Sequence, residues 1–180
     1  MSKSRKRLKQ GLVQVYFGRG KGKTTAALGQ GLRASGHGFK VMMIQFMKGS
    51  TQYGELKAIE SLPNFEIKQF GTPDLIAEPS KVDLDEGKKA LEFAEKIIMS
   101  DEYDVVILDE IGVAVEYNVI PLSAVLELID KKPPLVELIL TGGTRIHPKI
   151  KEKADLLTEM RMIKHYYNTK GISARFGIEY

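Results

Sequence analysis

Apolar residues along this chain gather into short runs rich in Val, Ile and Leu, separated by longer stretches in which they recur at helical spacing. Leu12-Val13-Gln14-Val15-Tyr16-Phe17 predicts a buried strand, and residues 26–34 predict a helix that ends at Gly36-His37-Gly38, where His37 reads as a cap or turn residue. Residues 39–46 predict a second buried strand. Residues 65–70 alternate apolar with polar and predict a strand exposed on one side. A long irregular loop over residues 71–80, with Pro73 and Pro79, leads into an amphipathic helix over 84–99, opened by Asp83, Asp85 and Glu86. Residues 103–108 form an apolar strand that runs into two carboxylates, Asp109 and Glu110. Pro121 then opens a helix that runs to Ile129. A strand over 136–140, a short helix over 147–154 and a last strand over 156–163 complete the pattern. Strands alternating with helices predict a three-layer α/β domain with a mainly parallel sheet of five or six strands.

Composition narrows this picture. With 180 residues, 43% of them hydrophobic, one domain with a proper core is expected, and no apolar run approaches a membrane span. The basic N-terminus has no apolar run behind it, so it does not read as a secretory signal, and the cytoplasm is the expected compartment. There is no cysteine, and His37, His147 and His165 have no metal-ligand spacing, so any metal must be held by oxygen. The charge of +4 is local. Lys3, Arg5, Lys6, Arg7 and Lys9 stand unopposed in the first ten residues, and removing them leaves 22 basic against 23 acidic residues. Residues 1–10 therefore read as a basic flexible arm and residues 11–180 as the domain, whose own surface lacks the positive charge that nucleic acid needs.

Gly18-Arg19-Gly20-Lys21-Gly22-Lys23-Thr24-Thr25 lies between the first strand and the first helix, the context a phosphate-binding loop requires. Glycines bring backbone N–H groups close to phosphate oxygens, the helix adds its positive end, Lys23 reaches the phosphate chain and Thr24 is placed to ligate Mg²⁺ (or Mn²⁺). The fold class is thus that of P-loop nucleoside triphosphate hydrolases. The loop is one residue tight, because the usual first glycine would fall on Phe17. Asp109 or Glu110, at the end of a buried strand, supplies the second half of the metal site. Gln45, Lys48 and Gly49 end the second strand, where ligands bind in parallel sheets, and Arg145 follows the fifth strand either as a ligand contact or as a surface residue.

From residue 11 to residue 180 the chain resembles the P-loop family of ATP:corrinoid adenosyltransferases. The resemblance rests on the short glycine loop, Gly36-His37-Gly38, Gln45-Phe46-Met47-Lys48-Gly49, Gly54-Glu55 and Leu108-Asp109-Glu110, and it extends to residues 117–122, Leu140-Thr141-Gly142, Lys164-His165 and Gly177-Ile178-Glu179-Tyr180. It implies ATP as co-substrate, lying reversed in the cradle. Co(I) of a reduced corrinoid attacks the ribose 5′ carbon and triphosphate leaves. Lys23, Thr24 and Glu110 are the implied catalytic groups, with Gly18, Arg19, Gly20, Lys21, Gly22, Thr25, Gln45, Lys48 and Arg145 binding nucleotide, and Thr24, Asp109 and Glu110 holding the metal. A homodimer and an electron donor for the corrinoid are implied as well. The chain departs from the family pattern at Arg19, at Gly143, which stands where an arginine is common, and in residues 71–76, which lack the aromatic pair associated with displacing the lower ligand of cobalamin.

The sequence also admits two rival readings. Asp109-Glu110-Ile111-Gly112 fits the Asp-x-x-Gly pattern of GTPase-type switches, although no Asn-Lys-x-Asp element accompanies it. A non-enzymatic nucleotide-binding module would rest on the basic arm.

Overall fold

A computed structural model describes residues 7–50, 52–72 and 78–180. Within them the chain runs β1 (Val13–Phe17), α1 (Lys23–Gly36), β2 (Val41–Gln45), α2 (Gly54–Ile59), β3 (Phe65–Gln69), α3 (Lys81–Ser100) and β4 (Val105–Asp109). It continues through α4 (Ile111–Glu116), α5 (Leu122–Lys131), β5 (Glu137–Thr141), α6 (Pro148–Glu152), β6 (Leu156–Glu159) and α7 (Tyr166–Lys170). The six strands form one sheet in the order β3-β2-β4-β5-β1-β6, and every pairing is parallel. No described helix is long and apolar enough to cross a membrane.

Because strand side chains alternate between faces, the register decides what each helix layer meets. Val41, Met43, Val105, Ile107, Ile139 and Tyr16 are buried together with Ala27 and Ala34 of α1. The alternate residues, among them Ile44, Val106, Leu108, Leu138 and Leu140, form a larger core with Ala94 and Ile98 of α3 and with α4 and α5. Helix α3 starts at a capping box: the Ser80 hydroxyl accepts from the Asp83 N–H at 3.3 Å, and the Asp83 carboxylate accepts from the Ser80 N–H at 2.8 Å. His37 caps the end of α1, as its place between two glycines predicts.

The last strand is shorter than its apolar run predicts. Strand β6 pairs only with β1, and the ladder closes where β1 gives way to the glycine loop, at Phe17 opposite Glu159. Ile163, expected inside this strand, lies well beyond it and is exposed. Arg7, read as part of the arm, forms ion pairs at 2.7 Å with both Asp101 and Asp104 at the turn before β4. Pro73 and the four residues after it, most of the loop that lacks the family's aromatic pair, lie outside the described residues, as do residues 1–6.

The β1–α1 turn is built on glycine for a geometric reason. Gly18 has φ +113°, and a Cβ there would stand 2.5 Å from the Met160 carbonyl oxygen, in backbone that cannot retreat. Replacing Gly18 with Ala should therefore destabilise the fold by about 1–3 kcal/mol, read as a lower urea midpoint. An unchanged midpoint would mean that the loop does not depend on this close approach.

Candidate active site

Strand register places four polar side chains in one row. Phe65, Val41, Val105 and Glu137 are aligned across β3, β2, β4 and β5, followed two residues on by Ile67, Met43, Ile107 and Ile139. Two further residues along the same face stand Gln69, Gln45, Asp109 and Thr141, at the carboxyl edge of the sheet. The row is joined by hydrogen bonds. The Gln69 amide donates to Gln45 Oε1 at 3.0 Å, and Gln45 Nε2 donates to Asp109 Oδ2 at 3.2 Å. The Thr141 hydroxyl donates to Asp109 Oδ1 at 2.8 Å and accepts from the Glu110 N–H at 2.8 Å.

Asp109 is fully buried, and two further groups complete its surroundings. The Thr24 hydroxyl, at the start of α1, donates to Oδ1 at 2.9 Å, and Lys48 Nζ reaches Oδ2 at 2.7 Å. Each carboxylate oxygen thus accepts two hydrogen bonds, which uses the four lone-pair positions of an ionised Asp. Burial pulls the Lys48 ammonium down, but the charge and hydrogen bond of Asp109, with the charges of Glu110 and Glu55, together outweigh it and the net effect is upward.

Glu110, one residue on, adopts a left-handed backbone (φ +63°) as the cap of α4, and its side chain lines the cavity. Burial, then the charge of Asp109, raises its carboxyl above the usual range, against the opposing charges of Lys48 and Lys23. Among the described residues its carboxylate accepts no protein hydrogen bond.

The cavity above this row measures about 420 Å³. One wall is the loop and the start of α1, from Lys21 to Thr25, and another carries Lys48, Tyr53, Glu55 and Glu110. No side chain caps the N-terminus of α1, so the N–H groups of Lys23, Thr24 and Thr25 have no partner within the helix and form an anion-binding end. Lys23 Nζ lies over the loop, 2.9 Å from the Gly20 carbonyl.

The loop residues divide into distinct jobs. The Gly20 N–H is committed to the Met160 carbonyl at 2.7 Å, and the Gly18 N–H to that of Gly143 at 3.3 Å, so these amides tie the loop to neighbouring strand ends. Arg19 is exposed and outside the cavity lining. Lys21 Nζ donates to the Ile178 carbonyl at 3.2 Å and lies 3.7 Å from Glu179. Gln45 sits beneath the cavity floor, fully buried. Arg145 is 79% exposed, pairs with Glu116 at 2.7 Å and does not line the cavity.

The sequence reading assigned no role to Thr141 or Gln69, nor to the segment Gly177–Tyr180, which forms a third wall of the cavity. The segment is folded on itself. Glu179 accepts from the Tyr166 hydroxyl and from the Arg175 N–H at 2.8 Å, and pairs with the Arg175 guanidinium at 3.3 Å. Arg175, then Tyr166, hold its carboxyl down at about 2. Its contribution to holding the segment is therefore present above the ordinary carboxylate range and is lost as pH falls through about 2. Acidification from pH 5 to 2 should release the segment, seen as a change in tyrosine fluorescence that Glu179→Gln abolishes. An identical transition in that variant would contradict the assignment.

A parallel sheet, a glycine turn into a helix N-terminus, and a buried Asp holding a Thr and a Lys at the adjoining strand ends define a P-loop nucleotide-binding protein. Residues 9–180 match the model of the family described as ATP:corrinoid adenosyltransferase BtuR/CobO/CobP. The chain belongs to that family. It is 35% identical to a corrinoid adenosyltransferase of Escherichia coli strain K12 over 95% of this chain and 86% of the relative. It is 35% identical to one from Sinorhizobium sp over 95% of this chain and 81% of the relative. It is 32% identical to corrinoid adenosyltransferase CobA of Salmonella typhimurium over 95% and 86%.

Proposed function

We propose that this chain transfers the 5′-deoxyadenosyl group of ATP to the cobalt of a reduced corrinoid, with triphosphate as leaving group. The observation that carries this reading is the family match over residues 9–180, which takes in the whole cradle. Co(I) brings its own electron pair. As the cobalt–carbon bond forms at C5′, the C5′–O bond breaks and its electrons leave on the triphosphate oxygen. The protein then needs no nucleophile or base of its own, only groups that accept the growing negative charge. In this reading Lys23, the first N–H groups of α1 and Lys48, all at the cavity wall, supply those groups.

The donors at the cavity suit Mg²⁺ or Mn²⁺. Nearest the loop and strand end these are oxygens, the Thr24 hydroxyl and the uncommitted carboxylate of Glu110, with the Glu55 carboxylate on the same wall, a set that a hard cation completes with phosphate oxygens and water. Among the described residues no group of three acidic or histidine ligands exists that would make a closed metal cage. In this reading Thr24 and Glu110 hold the ion, and Asp109, its lone pairs occupied, orients Thr24 and Lys48 from behind. When bound, the ion supplies Lewis-acid stabilisation of the leaving phosphate oxygens. A homodimer, an electron donor that delivers Co(I) and a cytoplasmic location complete the proposal.

A GTPase-type switch is not favoured. The glycine of its short motif, Gly112, lies inside α4, where a Cβ would stand 2.9 Å from the Gly142 Cα, so its smallness is explained by close packing of helix on strand end.

Anaerobic incubation with Mg²⁺, ATP and chemically reduced cobalamin should give triphosphate and adenosylated corrinoid in equal amounts, without ADP. ADP and orthophosphate formed independently of corrinoid would overturn the reading. Lys23→Ala should lower turnover on the order of 10²–10³-fold while circular dichroism stays unchanged.

A further inference from the structure

Two tyrosines, Tyr53 and Tyr180, stand next to the phosphate cradle. Tyr53 precedes α2, and Tyr180 lies in the segment tied down by Glu179. Both line the 420 Å³ cavity, and both also line a second cavity of about 260 Å³ beside it. The two spaces therefore meet at this pair. Tyr53 is fixed by Lys48, whose ammonium lies 5.4 Å from its ring centroid while it is held on Asp109. Tyr180 is fixed by an edge-to-face contact with Phe176 at 6.1 Å and by its carbonyl, which accepts from the Gly177 N–H at 2.7 Å. Both rings are half-buried, so each keeps an accessible surface.

From this geometry we propose that Tyr53 and Tyr180 form the purine slot of the enzyme, with the base of ATP seated against their rings while its phosphates occupy the cradle. The inference rests on the adenosyl-transfer reading and adds the residues that hold the transferred group. The second cavity suits a nucleobase in size and is too small for a corrin ring with its amide arms. Its remaining lining is Ser50, Gln52, Ala174 and Glu179: the first three supply hydroxyl, amide and backbone groups of the kind that bond a base edge, while the Glu179 carboxylate is engaged by Arg175 and Tyr166. Aromatic faces hold bases by stacking, and neither ring needs a charge for it. Lys21 serves the slot indirectly: by holding Ile178 and Glu179 it sets the segment that carries Tyr180 against the loop that carries the phosphates. Lys21 and Glu179 are thus positioning residues.

Calorimetric titration of the full chain with ATP and, separately, with inorganic tripolyphosphate tests this, both in the presence of Mg²⁺. Tyr53→Ala and Tyr180→Ala should each weaken ATP by about tenfold and leave tripolyphosphate within about twofold of the parent. Tyr180→Phe, which keeps the ring, should bind ATP as the parent does. Unchanged ATP affinity in both alanine variants, or equal loss of ATP and tripolyphosphate, would overturn the slot. Loss of corrinoid binding with ATP affinity intact would overturn it too, by assigning the rings to the acceptor. If the parent chain bound neither ATP nor tripolyphosphate, the phosphate-cradle reading itself would fall, and the slot with it.

Discussion

A single buried carboxylate sets the arrangement of this site. Asp109 has no exposed surface, so its charge is tolerated only because four donors surround it. Those donors come from α1, from β2 and the turn after it, and from β5. Satisfying one anion therefore fixes the helix that begins the phosphate loop, the strand end that carries Gln45 and the lysine that reaches over from residue 48. Sheet register makes this possible, because it delivers Gln69, Gln45, Asp109 and Thr141 to the same level on the same face. Two rows that are apolar except for Glu137 precede the polar one, so the core on the α1 side ends where the chemistry begins.

This constraint divides labour between two adjacent acids. Asp109 has no lone pair to spare and acts as an organiser. Glu110, with a left-handed backbone, lines the cavity and retains an uncommitted carboxylate, largely buried beside the charge of Asp109 and facing those of Lys48 and Lys23. A dication and a polyphosphate together answer both needs. The loop shows a similar division. Amides of Gly18 and Gly20 are used to anchor it, Lys21 holds the segment that forms the third wall, and phosphate contact is left to Lys23 and the first turn of α1.

Much of this was legible in the sequence. Strand, glycine turn and helix could be read because their signals are local, and the two carboxylates stood out because an apolar strand ran straight into them. Which acid is buried and which lines the cavity could not be read: the face of Asp109 depends on a register set by other strands, and Glu110 has already left the strand as the cap of α4. Thr141 and Gln69 act across strands and have no local signature. The contact of Lys21 with Ile178 spans 157 residues, beyond any pattern of spacing. Helices α2, α4 and α7 are each five or six residues long, too short for periodicity to declare them. Arg145 shows the reverse case. A strand-end position drew attention to it, yet its side chain is engaged by Glu116, away from the cavity.

The division of labour between the two acids is tested most directly by measuring, in Asp109→Asn and Glu110→Gln, both the unfolding free energy and the Mg²⁺ concentration that half-saturates ATP binding. An asparagine amide would set a donor against the donors Lys48 and Gln45, or against the two threonines, and leave the lysine unpaired. Asp109→Asn should therefore cost about 3 kcal/mol of stability. Glu110→Gln should leave stability equal to or above that of the parent and raise the half-saturating Mg²⁺ concentration roughly tenfold or more. The opposite pattern, a stable Asp109→Asn protein that has lost its metal dependence beside a Glu110→Gln protein that unfolds, would contradict the account.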